Sequence, residues 1–162
     1  MIKKNVAALV LAGLIVTIDQ ITKLLVKNFM EPNQFVSIID RYVGLRFIMN
    51  PGMALGIQIG GKLFFTVFAA VASLVILFFL FRLREDHGWT RFALASIFGG
   101  AVGNLIDRMF FGKVVDFIEI NPWPIFNFAD IAITFGMFIL IFVVFFEKKE
   151  EKELQEEEFE IR

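Results

Sequence analysis

Four stretches of the chain are nearly unbroken apolar runs, at 6–26, 63–81, 92–111 and 128–146. Each approaches the roughly 20 apolar residues that a helix needs to cross a bilayer. The third is the least regular, because Asn104, Asp107 and Arg108 interrupt it. In the connection 27–62, Val43, Leu45 and Phe47 alternate with Gly44, Arg46 and Ile48, a weak strand signal. The pattern predicts an all-α membrane protein of four transmembrane helices with a small extended, β-like platform in the outer loop. Residues 1–146 would form one transmembrane domain. The tail 147–162 is dense in charge and lacks an apolar stripe, which predicts a solvated helix or disorder.

Composition strengthens this picture: 57% of the 162 residues are hydrophobic, 22 are Phe, and the mean hydropathy of +0.72 lies outside the range of soluble domains. The first apolar run resembles a signal peptide, but Asp19, Gln20 and Lys23 stand where a small-residue cleavage site belongs, so the helix is read as retained. The absence of cysteine excludes disulfides, thiol catalysis and thiolate metal sites. A net charge of −1 without a basic stripe leaves no footprint for nucleic acid. No internal repeat suggests a transporter built from inverted halves.

Basic residues set the orientation. Lys3 and Lys4, then Arg82, Arg84 and Arg91, then Lys148, Lys149 and Lys152 flank the helices on one side, predicting both termini in the cytoplasm. The remaining polar clusters then converge at the outer face: "DQITK" with Asp19 and Lys23, "NPGMALG" with Asn50 and Gly52, "GNLIDR" with Asn104, Asp107 and Arg108, and two aspartates, Asp116 and Asp130, around "NPWPIFNF".

Several of these residues have structural explanations. Asp19 and Lys23 have the favourable four-residue helical spacing. Asn104, Asp107 and Arg108 share a helix face, as a polar clasp between helices would. "GGAVG" suggests close helix packing, and Asn50 and Gly52 suggest a turn. Asn127 and Asp130 have the spacing of a capping box, which makes capping as good an account of Asp130 as chemistry. Asp116 has no such account: its neighbours are apolar, so desolvation should raise its pKa. An intramembrane or interfacial carboxylate is read first as functional. Two such groups brought together would share a proton, one activating water while the other polarises a carbonyl. That chemistry needs no metal or other cofactor. The lone His87 falls on the cytoplasmic side and is read as a solvated loop residue.

"DQITK", "NPGMALG", "GNLIDR", "VVDF" and "FNFAD" stand in the order found in the lipoprotein signal peptidases, or signal peptidase II, and the chain resembles that family over essentially its whole length. The resemblance implies catalytic Asp116 and Asp130, with Asp19, Lys23, Asn50, Gly52, Asn104, Asp107, Arg108 and Asn127 lining or bracing the site. It also implies a bacterial inner-membrane endopeptidase, active near the periplasmic face and inhibited by globomycin. Its substrates would be diacylglyceryl-modified prolipoproteins, cut just before the lipidated cysteine. Leu55 departs from the aromatic common in the family's loop. Two other classes fit parts of the pattern: a proton-coupled transporter, and a scaffold whose aspartates only cap and pair.

Overall fold

The computed structural model describes residues 2–54, 57–58, 62–83 and 87–160, with side chains for 3–52, 63–83 and 87–146. Among the described residues there are four helices, α1 (Ile2–Phe29), α2 (Lys62–Arg82), α3 (Gly88–Phe111) and α4 (Phe128–Glu160). Strands β1 (Phe35–Ile39), β2 (Val43–Asn50), β3 (Met53–Ala54) and β4 (Ile57–Gln58) lie between α1 and α2, and β5 (Val114–Ile120) lies between α3 and α4. Leu55, Gly56 and Arg84 lie outside the described residues.

The helices α1, α2 and α4 are long and apolar enough to cross a membrane, whereas α3 is not by the same measure. The packing explains the difference, because α3 touches all three of the others. Surrounded by protein, it buries Arg91, Asn104 and Asp107. The outward faces of the other three expose Val10, Leu14, Phe68, Leu74, Phe138 and Phe145, a surface too extensively apolar for water.

The glycines of "GGAVG" allow the close contacts within a single chain. A Cβ at Gly99 would lie 2.9 Å from the carbonyl oxygen of Ala12 on α1, and one at Gly103 would lie 2.6 Å from a carboxylate oxygen of Asp19.

The predicted strand is β2, at the centre of an antiparallel sheet ordered β1, β2, β5. The sheet corrects two expectations. The fold is mostly helical rather than all-α, and the platform is not confined to 27–62, since β5 comes from the second outer connection. Its sequence "VVDFIEI" hid the alternation because both faces are buried, and a doubly covered strand reads as a continuous apolar run. Val115 and Phe117 pack with Phe47 and with Val26 of α1, and Val114 and Asp116 are also buried.

Between the pairs Leu45/Ile118 and Ile48/Asp116 the register slips by one residue, a bulge of the kind that re-aims side chains near a site. After β5 the chain folds back. Phe117 and Ile118 donate their N–H groups to the Phe126 carbonyl at 3.0 and 2.8 Å, and Phe126 returns one to Ile118 at 3.1 Å. This turn brings Asn127, and with it the start of α4, beside Asp116. The segment 147–160 continues α4 as helix rather than disorder. His87 is partly buried at the start of α3, not a fully solvated loop residue.

Candidate active site

Asp116 is 3% exposed in the middle of β5. Asn50 on β2 lies diagonally across the strand pair, where side chains on one face meet. Its Nδ2 donates to Asp116 Oδ2 at 2.8 Å, while Asn127 Nδ2 donates to Oδ1 at 2.7 Å. Desolvation by burial raises the Asp116 pKa to about 6; the two amide donors oppose the rise and the nearby charge of Asp130 adds to it.

Asp130 is the third residue of α4, and the capping box is formed. Its N–H donates to Asn127 Oδ1 at 3.0 Å, and the Asn127 N–H donates to Asp130 Oδ2 at 3.1 Å. Capping does not exhaust the side chain, because Oδ1 accepts from Asn104 Nδ2 at 2.8 Å. Each of the four carboxylate oxygens therefore receives one amide N–H.

The direction of those amides is fixed by the donors that claim their oxygens. Gly52 N–H donates to Asn50 Oδ1 at 2.9 Å, Asp130 N–H holds Asn127 Oδ1, and Lys23 Nζ donates to Asn104 Oδ1 at 2.9 Å. An amide whose oxygen is claimed by a donor must present its NH₂ on the other side. Gly52 has φ 105, and a Cβ there would lie 2.5 Å from the Phe65 ring, so this turn requires glycine.

Lys23 is 1% exposed and also pairs with Asp19 at 2.9 Å and Asp107 at 3.0 Å. The predicted Asp19–Lys23 pair is thus a knot of three charges. Asp19 also accepts from the Ala129 N–H at 3.0 Å, fastening α1 to the start of α4, and Asp107 accepts from the Val115 N–H at 3.0 Å, fastening α3 to β5. Gln20, which the motif reading passed over as a site residue, donates to Asp19 at 3.1 Å and to the Gly103 carbonyl at 3.0 Å. Its place beside Asp19 in an apolar run was the available signal. Arg108 Nη1 reaches the Asn104 carbonyl at 3.4 Å, and its guanidinium lies 6.0 Å from the Phe65 ring centre.

Asp116, Asp130, Asn50 and Arg108 line a cavity of about 1200 Å³. Much of its wall is apolar, formed by Ile131, Phe135 and Phe138 of α4, with Trp123 at the turn. Among the described residues no group of three or more His, Cys, Asp or Glu side chains is placed to hold a metal.

Residues 11–146 match the family described as signal peptidase (SPase) II. A lipoprotein signal peptidase of Moorella thermoacetica is 39% identical over 132 residues, covering 82% of this chain and 88% of the relative. Another, of Desulforapulum autotrophicum, is 41% identical over 144 residues, covering 83% and 89%. A bacterial membrane enzyme solved by the in meso method at 2.3 Å resolution superposes with a TM-score of 0.81 at 29% identity, covering 91% of this chain and 92% of that one. With the apolar spans, these matches define a multi-pass membrane protease. The chain belongs to the signal peptidase II family.

Proposed function

We propose that Asp116 and Asp130 are the catalytic dyad of an endopeptidase that removes signal peptides from diacylglyceryl-modified prolipoproteins, cutting just before the lipidated cysteine. One carboxylate takes a proton from water as the water oxygen attacks the scissile carbonyl. The partner, protonated, hydrogen-bonds to the carbonyl oxygen. Collapse of the tetrahedral intermediate breaks the C–N bond and returns a proton to the departing amine. Lys23, Asp19 and Asp107 brace the site; Asn50, Asn104 and Asn127 aim donors at the dyad. Arg108 borders the cavity, and Gly52 keeps the loop turn clear of Phe65.

One observation carries this reading: both carboxylates face one cavity whose wall is otherwise largely apolar, as a lipid-bearing peptide requires. In the same reading, residues 1–146 form a single domain of four spans, α3 included. The site faces the outer side of the bacterial cytoplasmic membrane, and 147–162 form a cytoplasmic tail, so both termini lie inside. No cofactor takes part, and globomycin is expected to inhibit.

The capping box favours a second account of Asp130, in which it serves only to start α4. A gel-shift assay separates the two. Purified protein in detergent is given a diacylglyceryl-modified precursor, beside Asp116→Asn and Asp130→Asn variants of verified fold. Asparagine keeps the shape of the carboxylate but cannot act as a base. Cleavage by the parent alone is expected; cleavage by Asp130→Asn would reduce that residue to a cap.

A further inference from the structure

On α4, Asp130, Ile131, Thr134, Phe135 and Phe138 follow one stripe down the cavity wall. Below Asp130, Thr134 is the exception to its apolar character. A serine or threonine within a helix ordinarily satisfies its hydroxyl on a carbonyl one turn back. Thr17, Thr22, Ser73 and Ser96 do so here, at 2.8, 2.9, 2.7 and 3.0 Å. Thr134 does not: its hydroxyl has no hydrogen-bond partner among the described residues, although it lines the cavity. Thr134 is exposed on the cavity wall, and an apolar occupant that covered its hydroxyl without bringing an acceptor would leave it unpaired at a cost.

The occupant must therefore be apolar in bulk and carry a hydrogen-bond acceptor near the catalytic end. Four residues of helix place Thr134 about 6 Å along the axis from Asp130. An acyl tail has no acceptor, and a peptide bond at Asp130 lies a turn away. The ester carbonyls of a diacylglyceryl thioether, a few bonds beyond the cysteine sulfur, meet both requirements. We propose that Thr134 is a specificity-determining residue that donates its hydroxyl hydrogen to an ester carbonyl of the substrate's diacylglyceryl group, favouring acyl-linked over alkyl-linked lipid. This rests on the peptidase reading above.

The test uses two synthetic precursor peptides, one with diacylglyceryl and one with dialkylglyceryl on the cysteine, against the parent, Thr134→Val and Thr134→Ser. Replacing ester by ether removes only the carbonyl acceptors. The parent is expected to prefer the diester by about two- to tenfold in kcat/KM, the range of one neutral hydrogen bond. Thr134→Val should bring that ratio close to one, and Thr134→Ser should preserve it. An equal loss on both substrates with valine would assign Thr134 to packing or to the peptide, and an undiminished preference would remove it from recognition; either overturns the proposal. Failure of the parent to cleave either peptide would overturn the peptidase reading itself, and the proposal with it.

Discussion

Two groups of acids lie side by side at the sheet end of the bundle. Asp19 and Asp107 enclose the ammonium of Lys23, and all three side chains are sealed from solvent. Asp116 and Asp130 have no cation within ion-pair distance among the described residues; amide N–H groups hold them, and they border a large cavity. The residue types are the same and the consequences differ. A carboxylate sealed against a fixed cation cannot meet a substrate, whereas one held by neutral amides against an open space can exchange a proton with what enters. The first arrangement builds a site and the second can do chemistry.

The comparison breaks if neutralising either cavity-facing acid is harmless. Asp116→Asn and Asp130→Asn should each lower the cleavage rate by at least about 10²–10⁴-fold, the usual contribution of a general acid or base, while insertion and fold persist. Single-turnover cleavage of a lipidated precursor by each purified variant measures this. A variant within tenfold of the parent would move its carboxylate from the reactive group to the structural one.

The next largest effect belongs to the sealed knot. Lys23→Met leaves two buried carboxylates without their cation, a change that costs about 3–5 kcal/mol in comparable buried pairs. Thermal unfolding in detergent should show a large loss of stability. Adding Asp19→Asn and Asp107→Asn should recover much of it, because the uncompensated charges disappear together. The triple variant should still cleave poorly, since the Asn104 oxygen then keeps only the Asn127 amide and loses the ammonium that helps hold it away from Asp130. Full activity in a folded triple variant would show that the knot does not orient the amides.

How far the sequence revealed this depends on chain distance. The acids and their nearest amides were legible because the motifs are local: Asn127 precedes Asp130 by the three residues of a capping box, and Asp116 stands out against apolar neighbours. The knot was legible only in its Asp19–Lys23 half, since Asn104 and Asp107 reach Lys23 across the fold from another helix. The strand β5 was hidden by burial on both faces, and the central place of α3 showed only as an irregular apolar run. Thr134 gave no signal at all; an isolated threonine becomes informative only when its neighbours' hydroxyls are seen bonded and its own is not.

The raised pKa of Asp116 sharpens the contrast, because stability and activity should both depend on the proton it holds. Burial pushes its carboxyl up to about 6 in the folded protein against an ordinary value of 3.8, so between those values the folded state binds more protons. Stability from this group therefore falls as pH rises through that window and is fully recovered below it. Cleavage by the proposed mechanism needs one ionised and one protonated carboxyl, and the charge of Asp130 acts on Asp116 while Asp116 keeps its proton, so the rate should fall as Asp116 ionises, to about a tenth at pH 7. Unfolding measured between pH 4 and 8 should lose stability up to about pH 6 and then level off, where cleavage begins to fall, and Asp116→Asn should flatten the stability slope. Cleavage that rose as Asp116 ionised would make its carboxylate the base and leave the proton to Asp130.

The smallest effect is expected from the ion pair on the sheet. Arg46 meets Glu119 across β2 and β5, Nε to Oε2 at 2.6 Å and Nη2 to Oε1 at 3.3 Å, with its guanidinium 4.8 Å from the Phe35 ring centre. By distance alone this pair equals those of Lys23, but both partners reach solvent, with side chains 34% and 21% exposed. When Arg46→Gln removes the charge, water can hydrate Glu119, so the penalty that makes Lys23 indispensable does not arise. The unfolding temperature should stay close to the parent's, and cleavage should remain within about twofold, as for other surface pairs. Raised salt should leave the parent and the variant still more alike. If Arg46→Gln instead matched Lys23→Met in its loss of stability, access to solvent would not be what separates the two ion pairs. The sheet would then be fastened to the site by charge, rather than by its ladder and by Val115 and Phe117 beneath it.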